Sequence, residues 1–163
     1  MNIRIFGLAD ESIVDGPGCR FAIFTQGCPH GCPGCHNPES HTFDGGQIIN
    51  TEDIIARFSA NPLLDGITLT GGDPMCQAEP CLVLAKAAHA RHLTVWAYTG
   101  YLWEDLLQEA DPVRMALLQE IDVLVDGPFR LSERSVALQF CGSWNQRLID
   151  VKKTLTSGGG IVL

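Results

Sequence analysis

The stretch Gly27-Cys28-Pro29-His30-Gly31-Cys32-Pro33-Gly34-Cys35-His36-Asn37-Pro38 decides how this chain is read. Three cysteines fall within eight residues, spaced C-x3-C-x2-C, and glycine and proline fill most of the gaps. Proline lacks an N–H and fixes φ, while glycine permits φ > 0, so the segment is a loop rather than a helix or a paired strand. A loop rich in thiols wraps a metal better than it builds a core, and thiolates suit zinc and iron–sulfur clusters. A closed site takes four protein ligands. No obvious fourth lies nearby, so the first reading is a cubane cluster with one iron left open to a ligand that is not protein.

Working outward, the 163 residues suit one domain, expected over residues 1–156, with a flexible tail over 157–163 that carries Ser157-Gly158-Gly159-Gly160. Hydrophobic residues at 45% and charged residues at 18% make the chain globular. A net charge of −8 argues against nucleic acid or an anionic membrane as a main partner. No apolar run approaches a membrane span, and Met1-Asn2-Ile3-Arg4-Ile5 lacks the layout of a signal peptide, so a cytoplasmic location is expected. Seven cysteines in a reducing compartment point to metal binding rather than disulfides.

Along the chain, residues 3–9 form a short strand and Asp15-Gly16-Pro17-Gly18 a turn. Phe21-Ala22-Ile23-Phe24 reads as a buried strand that runs straight into the cysteine loop. Residues 37–50 read as a connection, and Thr51 as the cap of a helix that ends at Asn61-Pro62. Further strands cover 66–70, 92–98 and 121–125. Between them lie a helix from near Pro80, with Cys81, Leu84, Ala85 and Ala88 on its apolar face, and two helices broken at Asp111-Pro112. Leu148-Ile149-Asp150-Val151 offers one more strand. Strand–loop–helix, repeated about three times, implies an α/β fold with a parallel sheet, too short to close an eight-stranded barrel. The strand ends then bring the cysteine loop, Thr70-Gly71-Gly72-Asp73-Pro74, Tyr98-Thr99-Gly100 and Asp126-Gly127 to one rim.

The cysteine spacing at a strand end, with a Gly-Gly-acidic-Pro motif after the next strand, resembles the radical S-adenosylmethionine (SAM) enzymes. Val14-Asp15-Gly16-Pro17-Gly18-Cys19-Arg20, Gln26-Gly27-Cys28-Pro29-His30 and Cys35-His36-Asn37-Pro38 resemble the small activating enzymes of glycyl-radical enzymes. Asp122-Val123-Leu124-Val125-Asp126-Gly127-Pro128-Phe129 and Gly142-Ser143-Trp144-Asn145-Gln146-Arg147 resemble the branch that serves anaerobic ribonucleoside-triphosphate reductase. The resemblance runs from about residue 12 to residue 150. It implies a partial, open β/α barrel of the radical SAM type, with a mostly parallel sheet. Cys28, Cys32 and Cys35 would ligate three irons of a [4Fe–4S] cluster, and the fourth iron would take the amino and carboxylate groups of SAM. Gly71, Gly72 and Asp73 would position the methionine end. Gly34 and His36 would lie against the adenosine, with Cys35 between them, and Thr99 and Asp126 would add contacts from neighbouring strand ends. Reductive cleavage would give methionine and a 5′-deoxyadenosyl radical, which takes a hydrogen atom from a glycine of the partner. That partner would be the catalytic subunit of the anaerobic ribonucleotide reductase, and the electron donor a flavodoxin-type protein. One departure stands out. The family commonly has an aromatic residue before its third cysteine; here it is Gly34, and His36 would supply a ring instead.

Other readings remain open. His30 or His36 would complete a structural zinc site with the three thiols. The client would be another glycyl-radical enzyme of the pyruvate formate-lyase type, or a small molecule. The chain would be a non-enzymatic metal-binding interaction module. Cys19, Cys76, Cys81 and Cys141 read as ordinary thiols, and His41, His89 and His92 as surface or helix-end residues. Asp73 and Asp126 also read as turn formers. Trp96 and Tyr98 read as packed strand residues. Asn145, Gln146 and Arg147 would dock the reductase or form a satisfied polar loop.

Overall fold

The computed structural model describes residues 1–157; residues 158–163 of the expected flexible tail lie outside the described residues. Seven strands form one sheet: β1 (Asn2–Ser12), β2 (Arg20–Thr25), β3 (Gln47–Asn50), β4 (Gly66–Gly71), β5 (Thr94–Tyr98), β6 (Val123–Asp126) and β7 (Arg147–Asp150). Their spatial order is β3-β1-β2-β4-β5-β6-β7. The centre, β2-β4-β5-β6, is parallel. Antiparallel pairings flank it, β1 with β2 and β3 on one side and β6 with β7 on the other. The sheet is open, with β3 and β7 as its edges.

Helices α1 (Thr51–Ser59), α2 (Ala78–His89), α3 (Trp103–Glu109) and α4 (Pro112–Gln119) lie in the crossovers, and α5 (Val151–Ser157) follows β7. The parallel strands read as continuous apolar runs because both of their faces are covered. One face carries Phe21, Ile23, Ile67, Leu69, Val95, Ala97 and Leu124, packed with Ile54, Phe58, Leu84, Ala88 and Leu117 of the helices into the main core. The other face carries Trp96, Val123 and Val125, which gather Tyr98, Phe140, Cys141 and Leu148 into a second, smaller cluster. The site lies on this second face.

Arg20 also reaches this face and is fully buried. Its guanidinium donates to Thr68, Thr94 and the carbonyls of Pro17, Ile67 and Thr94, and its charge lies 5.8 Å from the Trp96 ring centroid. It thereby ties the starts of β2, β4 and β5 to the turn at 15–18. Burial lowers its pKa to about 10.

Several boundaries differ from the sequence reading. The connection over 37–50 contains β3, whose exposed, polar-flanked residues become a strand by pairing with β1. Asn50 rather than Thr51 caps α1, its side chain accepting from the Glu52 N–H. A single tight turn at Pro74–Gln77 leads into α2, so Pro80 is that helix's third residue. The expected strand at 148–151 is β7, antiparallel and an edge, and α5 begins at Val151.

Candidate functional site

The cysteine loop leaves β2 through Gln26 and Gly27 and is held from below by backbone bonds. Gln26 N–H donates to Arg4 O (3.0 Å), Gly27 N–H to Ser40 O (2.7 Å) and Cys28 N–H to His41 O (3.0 Å). The Gln26 amide donates further to the carbonyls of Glu39 and Thr42. Gly27, Gly31 and Gly34 take φ of +107°, +58° and +75°, so the loop winds through left-handed backbone that glycine adopts without strain. The result is a turn that sets three partly exposed thiols around its rim; no described cysteine is in a disulfide. Burial pushes the Cys28 thiol up to about 11, against the opposing effect of the His30 backbone N–H.

The end of β4 packs directly on the start of this loop. Gly72 N–H donates to Thr25 O (2.7 Å) and Asp73 N–H to Gly27 O (2.8 Å). A Cβ on Gly72 would sit 2.4 Å from Gly27 O, and one on Gly71 2.5 Å from Thr25 N. The glycine pair is thus required by backbone meeting backbone, and it also lines the open space above.

Asp73 and Asp126, expected as SAM contacts, do not line that space. Both are fully buried, with their carboxylates bonded inside the protein. Asp73 accepts from the Thr99 hydroxyl (3.0 Å), Gly100 N–H (2.9 Å) and Met75 N–H (3.0 Å), and His30 Nε2 lies 2.6 Å from its Oδ2. Asp126 accepts from Trp103 N–H (2.9 Å) and from Arg147 Nε (3.0 Å) and Nη2. Arg147 also grips Glu104 with two bonds of 2.8 Å. Their carboxylates face protein donors where the sequence reading had them face a ligand. Gly34 also lies off the cavity, its Cβ direction running into Leu131 and Phe129.

The remaining expected residues converge. A cavity of about 460 Å³ is lined by Cys28, Cys32, Cys35, His36, Gly71, Gly72 and Thr99. Its wall includes residues that the sequence reading did not single out for the site: Asp15 from the turn before β2, and Phe129 and Phe140 after β6. Phe129 stacks edge-on against His36 with ring centroids 5.6 Å apart, and Phe140 does the same on Trp96 at 5.2 Å. Phe129 stands directly after Asp126-Gly127-Pro128, a strand-end signal that could have drawn attention to it.

Three soft donors around one concave space, with glycine backbone on the opposite lip, fit a cluster of several irons with room for a chelating ligand. Among the described residues, no three His, Cys, Asp or Glu side chains converge tightly enough to hold a single metal ion.

Residues 14–149 match the family model described as a 4Fe-4S single cluster domain. The anaerobic ribonucleoside-triphosphate reductase-activating protein of Enterobacteria phage T4 is 36% identical over 141 residues, covering 83% of this chain and 86% of that protein. The proteins of the same name from Salmonella typhimurium and Escherichia coli K12 are each 37% identical, over 142 and 146 residues, covering 82% of this chain and 90% of theirs. The chain belongs to this family of activating proteins. The crystal structure of QueE from Escherichia coli overlaps it in part, with a TM-score of 0.47 and 18% identity over 61% of this chain and 53% of that one.

The span shared with the family's 4Fe-4S model runs from the turn at Val14 to β7, so it takes in every wall of the cavity. In this member, Asn145 and Gln146 form a satisfied polar loop that leads into Arg147 at the start of β7. Asn145 donates to Pro128 O, Gln146 donates to Gly127 O and accepts from Gly142 N–H, and Arg147 holds Asp126. Among the described residues, no helix is long and apolar enough to cross a membrane.

Proposed function

We propose that this chain activates anaerobic ribonucleoside-triphosphate reductase by radical SAM chemistry, on an open sheet that is a partial barrel of the radical SAM type. The observation that carries the reading is the meeting of Cys28, Cys32 and Cys35 with Gly71, Gly72 and Thr99 around one cavity. The name of the family relatives gives the client. When bound, a [4Fe–4S] cluster would supply the single electron for reductive cleavage of SAM to methionine and a 5′-deoxyadenosyl radical, the species that would take a hydrogen atom from a glycine of the client.

The chain's own residues hold, orient and exclude. Cys28, Cys32 and Cys35 would each ligate one iron through a deprotonated sulfur, so loading releases the thiol protons. Backbone at Gly71 and Gly72, bare of side chains, would receive the amino and carboxylate groups of the methionine end. Thr99 would contact the ligand from the neighbouring strand end while its hydroxyl stays on Asp73. His36 backed by Phe129, together with Phe140, would cover the adenine, the task that the usual aromatic performs where this chain has Gly34. Asp73 and Asp126 act one step back, by fixing the strand ends. An apolar wall keeps water from a carbon radical. The open side of the sheet leaves a route for a polypeptide loop.

The test is direct. Anaerobic reconstitution with iron and sulfide, followed by reduction and addition of SAM, should yield 5′-deoxyadenosine and methionine. Cys32→Ala should yield neither, and equal cleavage by that variant would refute the assignment. Colourless protein with one zinc and no iron would favour the structural-metal reading instead.

A further inference from the structure

His30 sits in the cysteine loop between Cys28 and Cys32, where it could pass for a fourth ligand or a surface residue. Its surroundings say otherwise. Its Nε2 lies 2.6 Å from Oδ2 of Asp73, which is fully buried at the end of β4. Asp73 takes its other hydrogen bonds as an acceptor, and the geometry fits the Nε2–H tautomer of His30 donating to it. The ring packs against Gly100, where a Cβ would come within 2.3 Å of Cδ2. It also meets the Tyr101 ring edge-on, with centroids 4.6 Å apart. Asp73 is itself immobilised by the Thr99 hydroxyl and the N–H groups of Met75 and Gly100. The His30 side chain therefore spans from the cysteine loop to the ends of both β4 and β5. The same residue's backbone N–H favours the Cys28 thiolate, opposing the rise that burial imposes on the thiol.

The geometry points to His30 as a positioning residue for the cluster: its ring, clamped on Asp73, holds the loop between Cys28 and Cys32 against the ends of β4 and β5 and so fixes the Cys28 thiolate relative to Gly71 and Gly72. This deepens the cluster reading of the site and rests on it. Outer groups that orient metal ligands typically change metal affinity by about ten- to hundredfold when removed. Hydrogen bonds to ligand sulfurs raise a cluster's potential, because they stabilise the more negative reduced state. Losing the clamp should therefore loosen the cluster and lower its potential, with every thiol still present.

Two substitutions separate the donor from the ring. His30→Gln keeps an N–H donor within reach of Asp73, whereas His30→Phe keeps a flat ring and loses the donor. Each full-length chain is reconstituted anaerobically with iron and sulfide, and no SAM or reductase is added. Two properties are read: the rate at which an iron chelator bleaches the visible absorption, and the midpoint potential of the cluster. The Phe variant should bleach about tenfold faster or more and have a lower potential. The Gln variant should stay within about twofold of the wild type in rate, well short of the change of about tenfold expected when the contact is lost. Should the Phe variant fail to fold, His30→Leu replaces it with the same expectation. Wild-type rate and potential in the Phe variant would overturn the proposal, as would equal acceleration in both variants, since an N–H donor to Asp73 would then rescue nothing. A wild-type chain that takes up no iron–sulfur cluster would instead refute the underlying reading of the site.

Discussion

Replacing Gly72 with alanine tests how the two halves of the site are joined. The new Cβ would lie 2.4 Å from the carbonyl oxygen of Gly27 and 2.9 Å from its carbon. Ordinary contact begins at 3.4 Å, so the shortfall is a full ångström against backbone that has no rotamer to change. Relief requires the end of β4 to part from the cysteine loop, which breaks or stretches the bonds from Gly72 N–H to Thr25 O and from Asp73 N–H to Gly27 O. Overpacking costs about 1–3 kcal/mol and two backbone hydrogen bonds about 1 kcal/mol each, so about 3–5 kcal/mol is expected. In a chain of this size that lowers the unfolding temperature by about 6–20 °C. Thermal unfolding of the metal-free protein, followed by circular dichroism, measures it without reference to any ligand. Gly7→Ala is the internal control, because a Cβ there meets nothing within 4 Å. It should change stability by less than about 0.5 kcal/mol. A Gly72→Ala protein that melts with the wild type would refute the claim that the glycine pair is dictated by backbone packing.

Arg147→Met strands the fully buried Asp126 carboxylate with only the Trp103 N–H and should cost about 3–5 kcal/mol in urea unfolding, much of it recovered when Asp126→Asn is added; a loss below about 1 kcal/mol would contradict the pairing. Arg20→Lys keeps the charge but loses the planar fork that reaches Thr68, Thr94 and three carbonyls, so a destabilisation of at least about 2 kcal/mol is expected by the same assay. At the opposite ends of the strands, burial would raise the Asp122 carboxyl, but donation from His89 and Val95 N–H and the charges of His89 and Lys152 outweigh it and hold it below its ordinary value. A carboxyl lowered by folding contributes stability that is present above its unfolded pKa and is lost as pH falls through the folded one. The wild type should therefore lose stability more steeply than Asp122→Asn below about pH 4, and parallel urea midpoints between pH 3 and 6 would contradict this.

Much of this was legible in the chain. Phe21–Phe24 and Gly66–Thr70 are β-forming runs that stop at glycines, so the strands and the placing of the cysteine loop at a strand end follow from local chemistry. Cys81, Leu84, Ala85 and Ala88 fall on one face of α2 at helical spacing, and all four are buried. What escaped the sequence depends on distant partners. Gln47–Asn50 is at most half-buried and has no alternation to mark it, and becomes β3 only through its register with β1. Asp73 and Asp126 announce strand ends, yet the direction each carboxylate faces is set by His30, 43 residues before Asp73, and by Arg147, 21 residues after Asp126. Phe129 and Phe140 reach the cavity because the segment after β6 folds back over the second face of the sheet, which no periodicity in that segment discloses.

The central claim is that the three-thiol loop equips this chain to install a radical on a reductase. Its most direct measurement is electron paramagnetic resonance on an anaerobic mixture of the reconstituted chain, a reductant, SAM and the catalytic subunit of the anaerobic ribonucleotide reductase. A glycyl-radical signal should appear on the reductase, should require SAM, and should be absent with Cys32→Ala. A cluster-loaded chain that leaves the reductase without a radical, or a signal of equal size from the Cys32→Ala protein, would contradict it.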